Sequence, residues 1–145
     1  MGNSVKYGIK RNCGDIHSNI RFKYIYEVCN SFGKNYKGFQ RGYCNLPFEE
    51  EYALWFPKFY ENSTWKNEFR ANKKFIFEKF IGDLSKSLDM LEDNIAKHRA
   101  KRVVFTKKNG MYEFIGIYEI QPEMSRKEGC SVYKRINETI EKIND

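Results

Sequence analysis

Val103-Val104-Phe105-Thr106-Lys107-Lys108-Asn109-Gly110-Met111-Tyr112-Glu113-Phe114-Ile115-Gly116-Ile117-Tyr118-Glu119-Ile120 is the stretch that decides the fold. Val103 to Thr106 and Tyr112 to Ile120 are rich in β-branched and aromatic side chains, which suit a pleated, half-buried surface. Lys107 to Gly110 separates the two runs. Asn-Gly in such a separator is the strongest short-range hairpin signal, because the tight turn needs positive φ at both central residues. A hairpin is expected here. Along its second strand Tyr112, Phe114, Gly116, Tyr118 and Ile120 share one face. Gly116 leaves a notch on that face, where a backbone or a ligand can approach closely.

Working upstream, Leu84, Leu88, Leu91 and Ile95 form one apolar stripe at helical spacing, and Asp83 can cap that helix. Lys97, His98, Arg99, Lys101 and Arg102 load its C-terminal end with cations, which the helix macrodipole favours without any ligand. Phe75 to Phe80 also reads as helical, through Ile76, Phe77 and Phe80. Glu51 to Tyr60 reads as a strand, which Pro57 demotes to an edge or a bulge. Asn62-Ser63-Thr64 is a turn or cap. Ile20 to Cys29 fits both a half-buried strand and one helical face. Downstream, Val132 to Ile136 is expected to be a last strand and Asn137 to Ile143 a short helix. The sum is α+β: a small twisted antiparallel β-barrel or curled sheet with two to three flanking helices.

A chain of 145 residues without repeat or linker is expected to be a single domain, 1–145, with a core that needs no staples. Hydrophobic residues make up 41% and charged residues 31%, which excludes a disordered or membrane-embedded chain. Aromatic content is 17%, and ten tyrosines with two tryptophans cannot all be dry core, because hydroxyl and indole groups want partners. The formal net charge of +7 favours polyanions through phosphate contacts and counterion release, although a solvated lysine-rich surface has the same composition. No apolar segment marks a secretory signal or a membrane span, so a cytoplasmic protein without membrane contact, its cysteines reduced, is expected. Cys13, His17, Cys29 and Cys44 have a conceivable but irregular zinc-ligand spacing; scattered cysteines are more often small buried hydrophobes, and no cofactor is expected.

The chemistry-bearing stretch is Trp55 to Asn67, which holds both tryptophans. Flat ring faces beside amide donors and acceptors suit a flat polar ring such as a nucleobase; a core alone needs no amides. Trp55, Tyr60, Asn62, Trp65 and Asn67 are the candidate base-binding residues. The competing structural reading makes Trp55 and Phe56 strand core and Trp65 a loop staple. Gln40, Arg41, Lys101, Arg102, Lys134 and Arg135 are the candidate phosphate contacts, with Lys107 and Lys108 at the hairpin tip. Gly42 beside Arg41 lets a backbone approach a phosphate. Enzyme signals are weak: no serine elbow, phosphate loop or spaced carboxylate–lysine set occurs, and the adjacent Glu49, Glu50 and Glu51 do not converge on one metal.

Arg102 to Glu119, with Tyr133-Lys134-Arg135-Ile136, resembles a small domain of bacterial restriction and defence proteins, and Leu54 to Asn67 is similar to the same domain. That domain sits in the PUA-like group, which includes the EVE and SRA-type readers of modified bases. The resemblance spans Tyr36 to Ile136. It implies a twisted β-barrel with flanking helices and a pocket for a flipped or unpaired base, with Trp55, Trp65 and Asn67 as pocket residues. In such proteins the reader is usually joined to a nuclease or helicase, so a partner of that kind is the matching expectation. The leading function is a non-enzymatic nucleic-acid-binding module, DNA ahead of RNA, that recognises a flipped or modified base in a defence or restriction setting. A phage- or toxin-linked protein–protein regulator is one alternative. A metal-dependent nuclease using Glu51 or Glu78 is the other.

Overall fold

The structure is a computed structural model that describes residues 21–32, 34–38, 42–45, 52–58, 65–82, 84–96 and 101–138. The elements run α1 (Ile25–Ser31), β1 (Tyr43–Asn45), β2 (Tyr52–Trp55), β3 (Trp65–Arg70), β4 (Phe75–Phe80), α2 (Leu84–Ala96), β5 (Lys101–Lys108), β6 (Met111–Ile120), α3 (Pro122–Glu128) and β7 (Ser131–Asn137). The seven strands form one sheet in the order β1-β2-β5-β6-β7-β4-β3. Every neighbouring pair is antiparallel except β2 and β5, which run parallel. A parallel pair needs a long crossover, and β3, β4 and α2 supply it.

The expected hairpin is β5–β6, turning at Asn109 and Gly110 with φ of 53° and 80°. Its register slips at Val104/Phe105, and that of β6–β7 slips at Ile117/Tyr118. Such bulges bend strands and increase twist. Curling is directly visible across the sheet. β5 and β4 stand three strand spacings apart in the order, about 14 Å if the sheet were flat. Arg102 on β5 nevertheless lies 3.9 Å from Glu78 on β4. The rings of Trp55 on β2 and Tyr133 on β7, also three strands apart, have centroids 5.0 Å apart.

The curl divides the core. Under α1, Val28, Cys29 and Phe32 pack on Leu54, Phe56, Phe105 and Ile117. On the other face Trp55, Ile76, Val104, Tyr118 and Tyr133 pack together. The alternation of β2 explains the split, since Leu54 and Phe56 face α1 while Trp55 faces away.

Several local expectations are corrected. Phe75 to Phe80 is strand β4, not helix. Ile76 and Phe77 are buried on opposite faces, because β3 and β7 flank β4 and both its faces are covered; a short run apolar on both faces carries no period that separates strand from helix. Trp65, read above as a loop staple, opens strand β3, which also holds Asn67. Lys101 and Arg102 open β5 instead of ending α2, which stops at Ala96. The described part of the stretch that fitted both strand and helix is helical from Ile25, with the Glu27 carboxylate accepting from the Tyr24 and Lys23 amides at 2.9 and 3.0 Å; Ile20 lies outside the described residues. Of the α2 stripe, Leu91 is buried, Ile95 half-buried and Leu88 exposed. Asp83 and the proposed helix beyond Glu138 lie outside the described residues. Helix α3 was not foreseen; Pro122 at its first turn and Gly129 in the left-handed region after its end delimit it.

Candidate functional site

Arg102 is the centre of the candidate site. Strand alternation on β5 sends Val103 and Phe105 toward α1 and Arg102 to the opposite face. There the guanidinium carbon lies 4.5 Å from the ring centroid of Tyr133, 4.7 Å from Trp55 and 5.0 Å from Tyr43. Three aromatic faces on three strands thus surround one planar cation, an attractive geometry because ring faces carry negative potential. Arg102 is only 9% exposed. Its Nε is buried with no hydrogen-bond partner among the described residues.

Glu78 supplies the counter-charge, Oε1 to Nη1 3.9 Å, with both side chains nearly buried. Burial pushes the Glu78 carboxyl above the ordinary carboxylate range, and the Arg102 charge draws it part of the way back. Burial also raises the Tyr133 hydroxyl, again with Arg102 opposing. Both hydroxyl and carboxyl are therefore held toward their protonated forms by the same dry interior.

Asn67 stands beside Glu78, since the two are register partners across β3 and β4 and directly opposed side chains share a face. Its Nδ2 donates to the Lys58 carbonyl at 2.9 Å, which anchors the segment after β2. Its Oδ1 is buried without a partner among the described residues. A buried acceptor left unmade costs about 1–3 kcal/mol, so such an atom is retained for a reason. Ring faces, a guanidinium donor, an amide acceptor and a carboxyl that can hold a proton together match the needs of a flat heterocycle with donors and acceptors on its edge.

The expected site residues scatter. Trp55 and Asn67 lie in or beside this cluster. Trp65 belongs to β3 opposite Phe80, and its side chain is outside the described residues, as are Tyr60, Asn62, Gln40 and Arg41. Arg102, expected among phosphate contacts, is instead enclosed by the rings, because strand alternation turns it away from solvent. Lys101 is half-buried with its Nζ 5.6 Å from the Tyr52 ring centroid. Lys134 is half-buried on β7, and Arg135 donates from Nη1 to the Ile115 carbonyl at 3.2 Å. The Gly116 notch is filled by Arg135 itself: a Cβ there would stand 2.5 Å from its Cδ. Tyr43, Tyr133 and Glu78 were not singled out as pocket residues. Alternation places Arg102 with Val104, but only the curl brings β1, β4 and β7 to them.

Cys29 and Cys44 do come together, their thiols hydrogen-bonded, with the Tyr36 hydroxyl 3.8 Å from Cys44 Sγ. The contact between the two thiols holds Cys44 below the ordinary thiol range and, with burial, pushes Cys29 above it. Cys13 and His17 are outside the described residues, and no group of three metal-ligating side chains occurs among the described ones. Glu78 accordingly faces a guanidinium rather than other carboxylates. No helix among the described residues is long and apolar enough to cross a membrane.

A curled seven-stranded sheet with flanking helices and a ring-lined polar interior is a PUA-like architecture of the kind found in readers of modified bases. The chain belongs to the SET and RING associated (SRA) family, whose model matches residues 7–142. A solved structure, "The 5-Hydroxymethylcytosine-Specific Restriction Enzyme AbaSI", is similar with a TM-score of 0.73 and 33% identity. The match covers 89% of this chain and 43% of that one, so the chain spans less than half the length of that enzyme. Comparison with curated proteins gave no match.

Proposed function

We propose that this chain is a non-enzymatic reader of modified cytosine in DNA, serving a bacterial restriction or defence system from the cytoplasm. The observation that carries the reading is the cluster of Trp55, Tyr43 and Tyr133 around Arg102, with Asn67 Oδ1, which has no partner among the described residues, and the protonation-prone Glu78 beside it. A cytosine extruded from the duplex stacks on the rings. Its exocyclic amine donates to Asn67 Oδ1 or to Glu78, and its carbonyl accepts from Arg102. Unstacking and unpairing cost a few kcal/mol, which the pocket contacts offset. The cationic surface, net charge +7, docks the phosphates and supplies the sequence-independent part of the affinity. Likeness to an enzyme described as specific for 5-hydroxymethylcytosine supports the choice of base and the restriction setting, in which a nuclease or helicase is the matching partner. Fluorescence anisotropy with plain, methylated and hydroxymethylated duplexes at two salt concentrations tests the reading. Tighter binding of a modified duplex at both salts is expected. Equal affinity for all three, or affinity that ignores salt, refutes it.

A further inference from the structure

A second aromatic surface lies far from the Arg102 cluster. Lys107 is five residues along β5 from Arg102, about 16 Å of strand. It lines, with Lys23, Tyr24, Tyr26 and Tyr112, an open cavity of about 430 Å³ between the start of α1 and the hairpin tip. That volume is within the range of small-ligand clefts, roughly 300–1,000 Å³. The rings of Tyr24 and Tyr26 stack at 5.4 Å and 14°, and Tyr24 is 46% exposed. Lys23 Nζ stands 5.4 Å from the Tyr24 ring centroid and Lys107 Nζ 5.7 Å from that of Tyr112.

The cleft is rigidly built. Phe22 and Tyr112 exchange backbone hydrogen bonds of 3.0 and 2.6 Å, which pins the approach to α1 onto β6. Tyr112 packs edge-on against buried Phe56 at 5.6 Å. The nearby carboxylates are already engaged: Glu27 accepts from the Lys23 and Tyr24 amides, and Glu113 pairs with Arg21 at 2.8 Å. Among the described residues the two ammonium groups thus stand beside rings rather than carboxylates.

We infer that this cleft binds an unpaired nucleotide of a DNA strand, its base stacked on Tyr24 and its phosphates held by Lys23 and Lys107. Bases inside a duplex have both faces covered, so only an unpaired one can use the ring. Stacking gives affinity without reading sequence, and two cations on one cleft complement a backbone rather than a neutral ligand. The site stands independently of the base-reading proposal, because it uses the face of the sheet that carries α1.

The test is anisotropy with a fluorescent thymidine oligonucleotide of twelve nucleotides, together with photo-crosslinking of a 5-iodouracil version read by mass spectrometry. Binding, with the crosslink on Tyr24 or Tyr26, is expected. Tyr24→Ala is expected to weaken it about 5- to 160-fold, the usual range for one stacked base, while Tyr24→Phe retains it. Lys107→Ala is expected to lower the salt slope by about 0.7. A crosslink confined to other segments, no loss in Tyr24→Ala, or equal competition by polyglutamate overturns the inference. Failure of the two readings is distinguishable: a blunt modified duplex that binds preferentially while the single strand does not bind overturns this site alone.

Discussion

Replacing Arg102 with alanine separates the roles of charge and packing at the centre of the molecule. The substitution leaves Glu78, nearly buried, without the cation 3.9 Å away. Deleting one partner of a buried pair costs about 3–5 kcal/mol. Desolvated cation–π contacts of up to about 2 kcal/mol lie within that figure rather than on top of it. Loss of the Nε, which has no partner among the described residues, gives back about 1–3 kcal/mol. A net loss of about 2 kcal/mol at neutral pH follows from these opposing effects. The pH dependence has a definite sign. Burial already raises the Glu78 carboxyl above its ordinary value of 4.5, and without Arg102 nothing draws it back. An acid whose pKa is higher folded than unfolded binds more protons when folded. Its stability contribution is therefore fullest below the unfolded value and is lost as pH rises through the folded one. Urea unfolding of Arg102→Ala is thus expected to show a smaller loss near pH 5 than near pH 7.5. Arg102→Ala combined with Glu78→Gln should recover most of the loss at pH 7.5. An equal loss at both pH values, or a double variant as unstable as the sum of the singles, would refute the assignment of a buried, interacting pair.

Other consequences are as direct. Gly116→Ala must adopt a φ of 140° and place its Cβ 2.5 Å from Arg135 Cδ and 3.2 Å from the Asn137 carbonyl oxygen, so a loss of about 2 kcal/mol or more is expected in chemical denaturation. Adding Arg135→Ala should restore only part of it, because the φ strain and the carbonyl contact remain. Tyr118→Phe removes the hydroxyl that donates to the Lys73 carbonyl at 2.6 Å and closes a turn in which Ala71, Asn72 and Lys73 all have positive φ; about 1 kcal/mol should be lost in thermal unfolding. Asn67→Ala is expected to weaken binding of the modified duplex by about tenfold, the scale of one edge contact, with the salt slope unchanged; an unchanged affinity in anisotropy would remove Asn67 from the site.

What the sequence disclosed depended on how local the cause was. The β5–β6 hairpin was legible because Asn109-Gly110 and the flanking β-branched runs carry their own instruction. The α2 stripe was legible from its period. Strand β4 was misread because both its faces are covered, and a run such as Phe75 to Phe80 then lacks any diagnostic alternation. Trp55 and Asn67 stood out by residue type. Their neighbours Tyr43, Glu78 and Tyr133 did not, because they are brought in by the curl of the sheet, a long-range property with no local signature. Arg102 illustrates the cost of reading cations by charge alone: placed in a basic tract, it faces inward because of a two-residue period one step away.

The central claim is that a base leaves the duplex and enters the Arg102 cluster. Steady-state emission of 2-aminopurine placed beside a single hydroxymethylated cytosine reports that event, since emission rises when a stacked neighbour departs. The account predicts a rise on saturating protein, much smaller in Trp55→Ala at matched occupancy and in a duplex with plain cytosine. Saturated binding by anisotropy without any rise in emission would contradict it.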